Sequence, residues 1–219
     1  MEAEQYDRPA WRWRTPPETR DGYRGWRPMF PGHVFGGPTF MQCGRDHADA
    51  PDGLVYAASV DQWDNGGALR IGRVDAARVG ERAAWTFAVP RPDGGADWIG
   101  DPEQAPPALS IPGYLSLPEL VWLPRLRRCL LLTWSLHRDF DATGGSRLTV
   151  LESPTPWGPY ALVHHEERWD EIAVCPYCPR IPLRWFDQDR LTGWLLHSGS
   201  WHGTEHYRAH ARGFALETA

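Results

Sequence analysis

An all-β chain, folded as a β-propeller of four-stranded antiparallel blades, is expected from three features. Short β-rich runs recur in the same order three times along the sequence. A Gly-rich turn precedes the third run of the first two units, and a proline stands at the head of each unit. Three blades are expected over about 37–90, 113–168 and 178–217, with residues 1–36 as an irregular N-terminal segment.

In the first unit Pro38-Thr39-Phe40-Met41 leads to Leu54-Val55-Tyr56-Ala57-Ala58-Ser59, then crosses Asp64-Asn65-Gly66-Gly67 into Leu69–Val74 and Trp85–Val89. Apolar runs of this length between turn residues suit strands. The second unit passes from Pro118–Trp122 to Cys129–Ser135, crosses Thr143-Gly144-Gly145 into Arg147–Leu151, and ends on Tyr160–His164. The third starts at Pro182-Leu183-Arg184-Trp185, reaches Trp194–Ser198 and closes with Tyr207–Ala211. Gly66-Gly67 and Gly144-Gly145 are expected in equivalent loops between second and third strands, because hairpin turns often require positive φ. Pro90–Pro112 and Glu166–Pro182 read as long loops. Helix is sparse: Asp75–Arg82 suits a single turn. Pro118 and Pro124 make Leu117–Leu132 a strand–turn–strand rather than a helix.

Composition excludes several chemistries. The chain has 219 residues and no lysine, all 23 of its cationic residues being arginine. Schiff-base, pyridoxal-phosphate and P-loop mechanisms each need a lysine. A formal charge of −5 argues against nucleic acid as the main partner. No apolar run approaches ~20 residues, so no membrane helix is expected. The polar start Met1–Asp7 lacks a signal peptide's apolar core. The expected compartment is therefore the cytoplasm, or the exterior if the natural start lies upstream. Four cysteines without dense spacing do not demand an oxidising compartment.

Two segments carry a resemblance. Gly37-Pro38-Thr39-Phe40-Met41-Gln42-Cys43-Gly44-Arg45-Asp46, with Leu54-Val55-Tyr56, resembles a strand pair in a family of bacterial five-bladed propellers of unknown function, the DUF4185 type. That family is related to sialidase-like and arabinanase-like glycoside hydrolases. Leu151–Tyr160, containing Pro156-Trp157-Gly158-Pro159, resembles the turn between outer strands of such blades, and Leu117–Trp122 matches the innermost strand of the same blade. The resemblance covers roughly residues 27–217. Family members carry further blades ahead of the segment matching Gly37, and the acids implicated in catalysis in related hydrolases mostly lie there. The resemblance thus implies an incomplete five-bladed propeller with an open blade edge, a route to self-association.

In such a propeller the innermost strands line a central channel, and the loops entering them share a face with those joining second to third strands. That face would gather Trp63, Asp64, His137, Asp139, Trp201 and His202, with Tyr114, Trp169, Tyr177 and Arg180 nearby. Aromatic rings stack on the C–H faces of sugars, while arginines and carboxylates bond their hydroxyls. Alternatively the tryptophans wedge blades together. Glu119 is the sharpest residue, a carboxylate in the apolar run Leu117–Val121. Burial there should raise its pKa, as a general acid for glycosidic cleavage requires. It serves equally as a structural carboxylate bonded to Arg45 or Arg180. A glycosidase needs a second carboxylate, for which Asp46 and Asp64 are the candidates.

Cys175-Pro176-Tyr177-Cys178 is a lone C-x-x-C with prolines following, so no helix begins there to lower a thiol pKa. His202, His206 and His210 have a spacing that offers zinc ligands, but a tight turn or local disulfide is the preferred reading, and no metal or cofactor is assigned. Asp139–Gly145 reads as a hairpin turn rather than a calcium loop. Two functions follow. One is a carbohydrate-active propeller, glycoside hydrolase-like, acting on an arabinan-type polysaccharide with Glu119 as acid. Trp63, Trp201, Tyr114 and His137 would then contact sugar, with Arg45 and Arg180 positioning it. The other is a non-catalytic glycan- or protein-binding propeller fragment lacking the catalytic acids.

Overall fold

The apolar runs pair into three antiparallel sheets in a computed structural model that describes residues 29, 30, 32, 34–139, 141, 143–169, 175–199 and 207–218. The first sheet is ordered β1 (Thr39–Phe40), β2 (Leu54–Val60), β3 (Gly66–Asp75), β4 (Thr86–Pro90) and β5 (Ala96–Ile99), with β6 (Leu109–Leu115) also on β3. The second is a four-stranded meander of β7 (Glu119–Leu123), β8 (Arg128–Leu136), β9 (Ser146–Ser153) and β10 (Ala161–Glu166). The third holds β11 (Tyr177–Arg180), β12 (Thr192–Ser198) and β13 (Ala209–Ala215). Helix among the described residues is confined to short 3₁₀ turns, such as Arg45–His47 and Leu183–Trp185.

The leading strands converge. Gln42, just past β1, bridges Val121 of β7 in parallel, its N–H donating to Leu120 O at 2.9 Å while Trp122 N–H donates to Gln42 O at 2.9 Å. Arg180 at the end of β11 donates through Nη1 to Pro118 O at 3.0 Å. Inner strands side by side, with meanders leading outward from them, make this an all-β fold of propeller type.

Sheet two explains why its strands read as continuous apolar runs. Its inner strands are covered on both faces, so every residue of β7 is buried, while outer β10 is exposed. Successive side chains point to opposite faces. Leu120, Trp122 and Leu131 join Tyr56, Leu69 and Leu115 against the first sheet. Val121, Leu132 and Trp134 join Ile181, Phe186 and Leu195 against the third. Burying each leucine contributes roughly 1.5–3 kcal/mol. On the far face of sheet one, Phe30 and Phe35 pack edge-on to Phe87, with ring centroids 5.8 and 5.0 Å away. Gly72 lies beneath them: a Cβ there would sit 2.9 Å from the Phe35 ring, so a side chain would displace the cluster.

Several expectations are corrected. The third sheet begins at Tyr177, not Pro182, because Pro182 instead caps the 3₁₀ turn Leu183–Trp185. Pro90–Pro112 is not one loop. Asp93 accepts from Gly95 N–H, closing a tight turn from which β5 returns along β4, and β6 adds to β3, so the first sheet has six strands instead of four. Gly66-Gly67 opens β3 rather than sitting in the loop. The left-handed position falls on Asn65, at φ 49°, while Asp61 accepts from the N–H groups of Gly67 and Ala68. Gly144-Gly145 does lie in its turn, with Gly145 at φ 91°.

Asn65 ties three segments together. Its Oδ1 accepts from Leu136 N–H at 2.7 Å, its Nδ2 donates to Asp139 at 2.6 Å, and its N–H donates to Ser116 Oγ at 3.1 Å. Asn65→Ala should lower unfolding free energy by about 2 kcal/mol in urea, from two lost side-chain bonds and a left-handed backbone alanine resists. Asn65→Gly should cost less, because glycine accepts that φ.

Candidate functional site

Where the three sheets converge, each contributes one polar side chain. Glu119 opens β7, Gln42 follows β1, and Arg180 ends β11. Glu119 is 2% exposed. Its Oε1 accepts from Gln42 Nε2, and its Oε2 lies 3.1 Å from Arg180 Nη1. Gln42 Nε2 also donates to Ile181 O at 3.1 Å, bracing the third sheet. Burial pushes the Glu119 carboxyl up to about 7, against the opposing pull of Arg180, Gln42 and the Ile181 N–H.

At the end of the sheets where β7 begins, the turn between β2 and β3 holds Trp63 and Asp64. Trp63 is 42% exposed and stands edge-on to buried Trp134, centroids 5.4 Å apart; Asp64 is buried. Trp134 lies 5.7 Å from Tyr177, whose hydroxyl bonds that of Tyr207, itself 61% exposed. These four rings form a row running from the first sheet to the third. His137 begins the neighbouring turn, 3.5 Å from Glu167, and burial together with Arg147 holds its pKa below the ordinary range. Asp139 meets Asn65 across the two turns. Tyr114 faces the guanidinium of Arg147, 5.1 Å from its ring centroid. Trp169 is buried against the His197 ring at 4.9 Å, a packing role. Trp201, His202 and His206 lie outside the described residues.

Arg45 and Asp46 sit elsewhere. They occupy the 3₁₀ turn after β1, beyond the opposite end of the inner strands from Glu119, with side chains 95% and 87% exposed and 3.4 Å apart. The structure therefore brings Glu119 and Arg180 together, places Asp64, Trp63 and His137 at the same end, and separates Arg45 and Asp46 from them. Gln42, Asn65 and Tyr207 were missed. Gln42 had a usable signal, a lone amide between Met41 and Cys43; Tyr207 had none.

Cys175 and Cys178 are free thiols with φ of 54° and 52°, Cys175 at a bend and Cys178 inside β11, so the segment forms neither a disulfide nor the expected tight turn. Burial pushes Cys175 up to about 11, which leaves it a poor nucleophile. His210, the described member of the histidine series, stacks on His197 at 5.3 Å.

No family model and no curated protein matches the sequence. Among solved structures, the exo-β-1,3-galactanase of Phanerochaete chrysosporium is 15% identical, with 76% of this chain and 33% of that one covered at a TM-score of 0.45. The catalytic domain of an α-L-arabinofuranosidase from Coprinopsis cinerea is 12% identical, with coverages of 85% and 55% and a TM-score of 0.48. An endo-1,5-α-L-arabinanase from Thermotoga petrophila is 13% identical, with coverages of 80% and 37% and a TM-score of 0.38. The chain thus spans only part of each of these proteins, and a likeness at these scores attaches to no particular residue.

Glu119 gives stability a pH dependence of definite sign. Its carboxyl is held near 7 when folded against an ordinary 4.5, so the folded state keeps the proton that the unfolded chain releases. Stability is full below about 4.5, falls as pH rises, and levels off above about 7. Glu119→Gln should flatten that fall in melting temperatures taken between about pH 4 and 8. Arg180→Ala should destabilise by roughly 2 kcal/mol at neutral pH, through the lost charge-assisted contact with Glu119 and the lost bond to Pro118 O.

Proposed function

We propose that this chain is a carbohydrate-active propeller protein that binds a polysaccharide through Trp63 and Tyr207, the exposed ends of the row Trp63–Trp134–Tyr177–Tyr207. The single observation behind the reading is that Trp63 and Tyr207 are exposed at the two ends of the row, backed by buried Trp134 and half-buried Tyr177. Flat rings anchored from behind offer low-entropy faces for the C–H surface of a sugar. Asp139 and His137 stand beside the row, with polar atoms for hydroxyls. The substrate class is an arabinan-type or related polymer, of the sort degraded by hydrolases related to the family that the sequence resembles.

A second reading, glycoside hydrolysis, is favoured by the state of Glu119. A carboxyl held near 7 stays partly protonated at neutral pH, as a general acid requires. In this reading Asp64 supplies the second carboxylate, and Arg180 positions the acid. The seal around Glu119 weighs toward binding as the primary role, since a general acid must reach the leaving oxygen.

Calorimetry with arabinan and galactan oligosaccharides tests the first reading. Binding is expected, and Trp63→Ala or Tyr207→Ala should weaken it about tenfold or more. Absence of binding to both polymers, or indifference to both variants, removes the aromatic row from the function. Release of reducing ends by the unaltered chain, lost in Glu119→Gln, would establish the hydrolytic reading.

A further inference from the structure

At the other end of the sheets from Trp63, the seam between the first and second sheets opens into a cavity of about 440 Å³. That volume lies within the range of about 300–1,000 Å³ typical of small-molecule sites. Tyr56, Trp122 and Trp157 form its walls. They are fixed before any ligand arrives. Trp157 Nε1 donates to Gly94 O at 3.1 Å, its ring stands edge-on to Trp98 at 5.4 Å, and Tyr56 Oη donates to Asp52 at 2.5 Å. Preformed walls spare a ligand the cost of ordering them.

The rim is cationic on one side. The tight turn between β7 and β8 puts Arg127 at φ 52°, its N–H donating to Pro124 O at 3.2 Å, with the side chain exposed at the cavity mouth. Among the described residues no carboxylate pairs with Arg127. Arg128 beside it donates through Nη1 to Arg127 O at 3.1 Å and lies 3.7 Å from Glu152. Across the seam, Asp52 is occupied by Tyr56 Oη and by Leu54 N–H at 3.1 Å. An anion entering the cavity would be turned away from Asp52 and toward the two guanidiniums, whose planar forks match a carboxylate.

We propose that this cavity is a second ligand site, taking a ring compound that bears a carboxylate, its ring against Trp122 and Trp157 and its carboxylate on Arg127 and Arg128. Both an acidic sugar and an aromatic acid have this chemistry. The site lies at the opposite end of the sheets from the aromatic row and does not depend on the role proposed for that row.

Titration of the whole chain with digalacturonate and with 4-hydroxybenzoate, each beside its methyl ester, tests the proposal. At least one acid should bind with Kd of about 1 mM or tighter, and its ester about tenfold more weakly or worse. Which acid binds identifies the source of the ligand. Arg127→Asn should weaken the acid about tenfold, and asparagine tolerates the left-handed backbone, so the turn should survive. Arg128→Gln should weaken it as well, while Trp63→Ala should leave it unchanged. The proposal is overturned if neither acid binds, if acid and ester bind alike, if both arginine variants bind as the parent does, or if Trp63→Ala abolishes binding.

Discussion

The contact on which the rest of this structure depends is the buried carboxylate of Glu119 held between Gln42 and Arg180. Burying an unpaired carboxylate costs several kcal/mol, and only a partner with good geometry offsets it. Here the partners come from two other sheets, so the burial cost is partly offset only when all three are in place. The joint also sets register. With Glu119 anchored, Leu120 must face the first sheet and Val121 the third, and a slip of one residue would exchange those faces.

A second clamp operates farther out between sheets two and three. Arg212 of β13 holds Glu166 of β10 through both guanidinium nitrogens, and His164 adds a contact at 2.9 Å. Arg212 keeps Glu166 below the ordinary carboxylate range despite the burial that opposes it. The two joints differ in kind. Glu119 is sealed and its charge is disfavoured, whereas Glu166 is partly hydrated and its charge is favoured. The Glu119 carboxyl changes charge near neutrality, whereas that of Glu166 stays charged there.

Meander topology divides the chemistry between two ends. The turns joining β2 to β3 and β8 to β9 share an end with the entry to β7 and β11, while turns leaving β1 and β7 lie at the other. Trp63, Asp64, His137 and Tyr177 therefore gather at one end, and Arg127, Asp52 and Arg45 at the other. Alternate strand directions impose this separation whatever the residues are. Two surfaces of distinct character follow, an aromatic row bordered by mixed polar and charged groups and an aromatic cavity with an arginine rim.

Local sequence was enough for strands whose signal is local. β2, β7, β8 and β9 are apolar runs bounded by proline, glycine or charged turns, and each forms where those boundaries lie. The aromatic end could also be read, since Trp63, Asp64 and His137 fall in turns that topology must bring to one side. β11 could not, because Tyr177–Arg180 holds a proline and a cysteine at φ 52° and forms a strand through its pairing with β12. β5 and β6 were hidden in the same way, inside a Pro- and Gly-rich stretch that pairs with β4 and β3. The partner of Glu119 shows the limit most plainly. Arg45 and Arg180 were equal from sequence, having the same charge and the same reach. The fold chose Arg180 because β11 ends beside Pro118, whereas the chain has already left the opposite end of β1 when it reaches Arg45. Residue type and spacing act along the chain, but which charges meet depends on how sheets stack, and that is set by burial summed over the whole molecule.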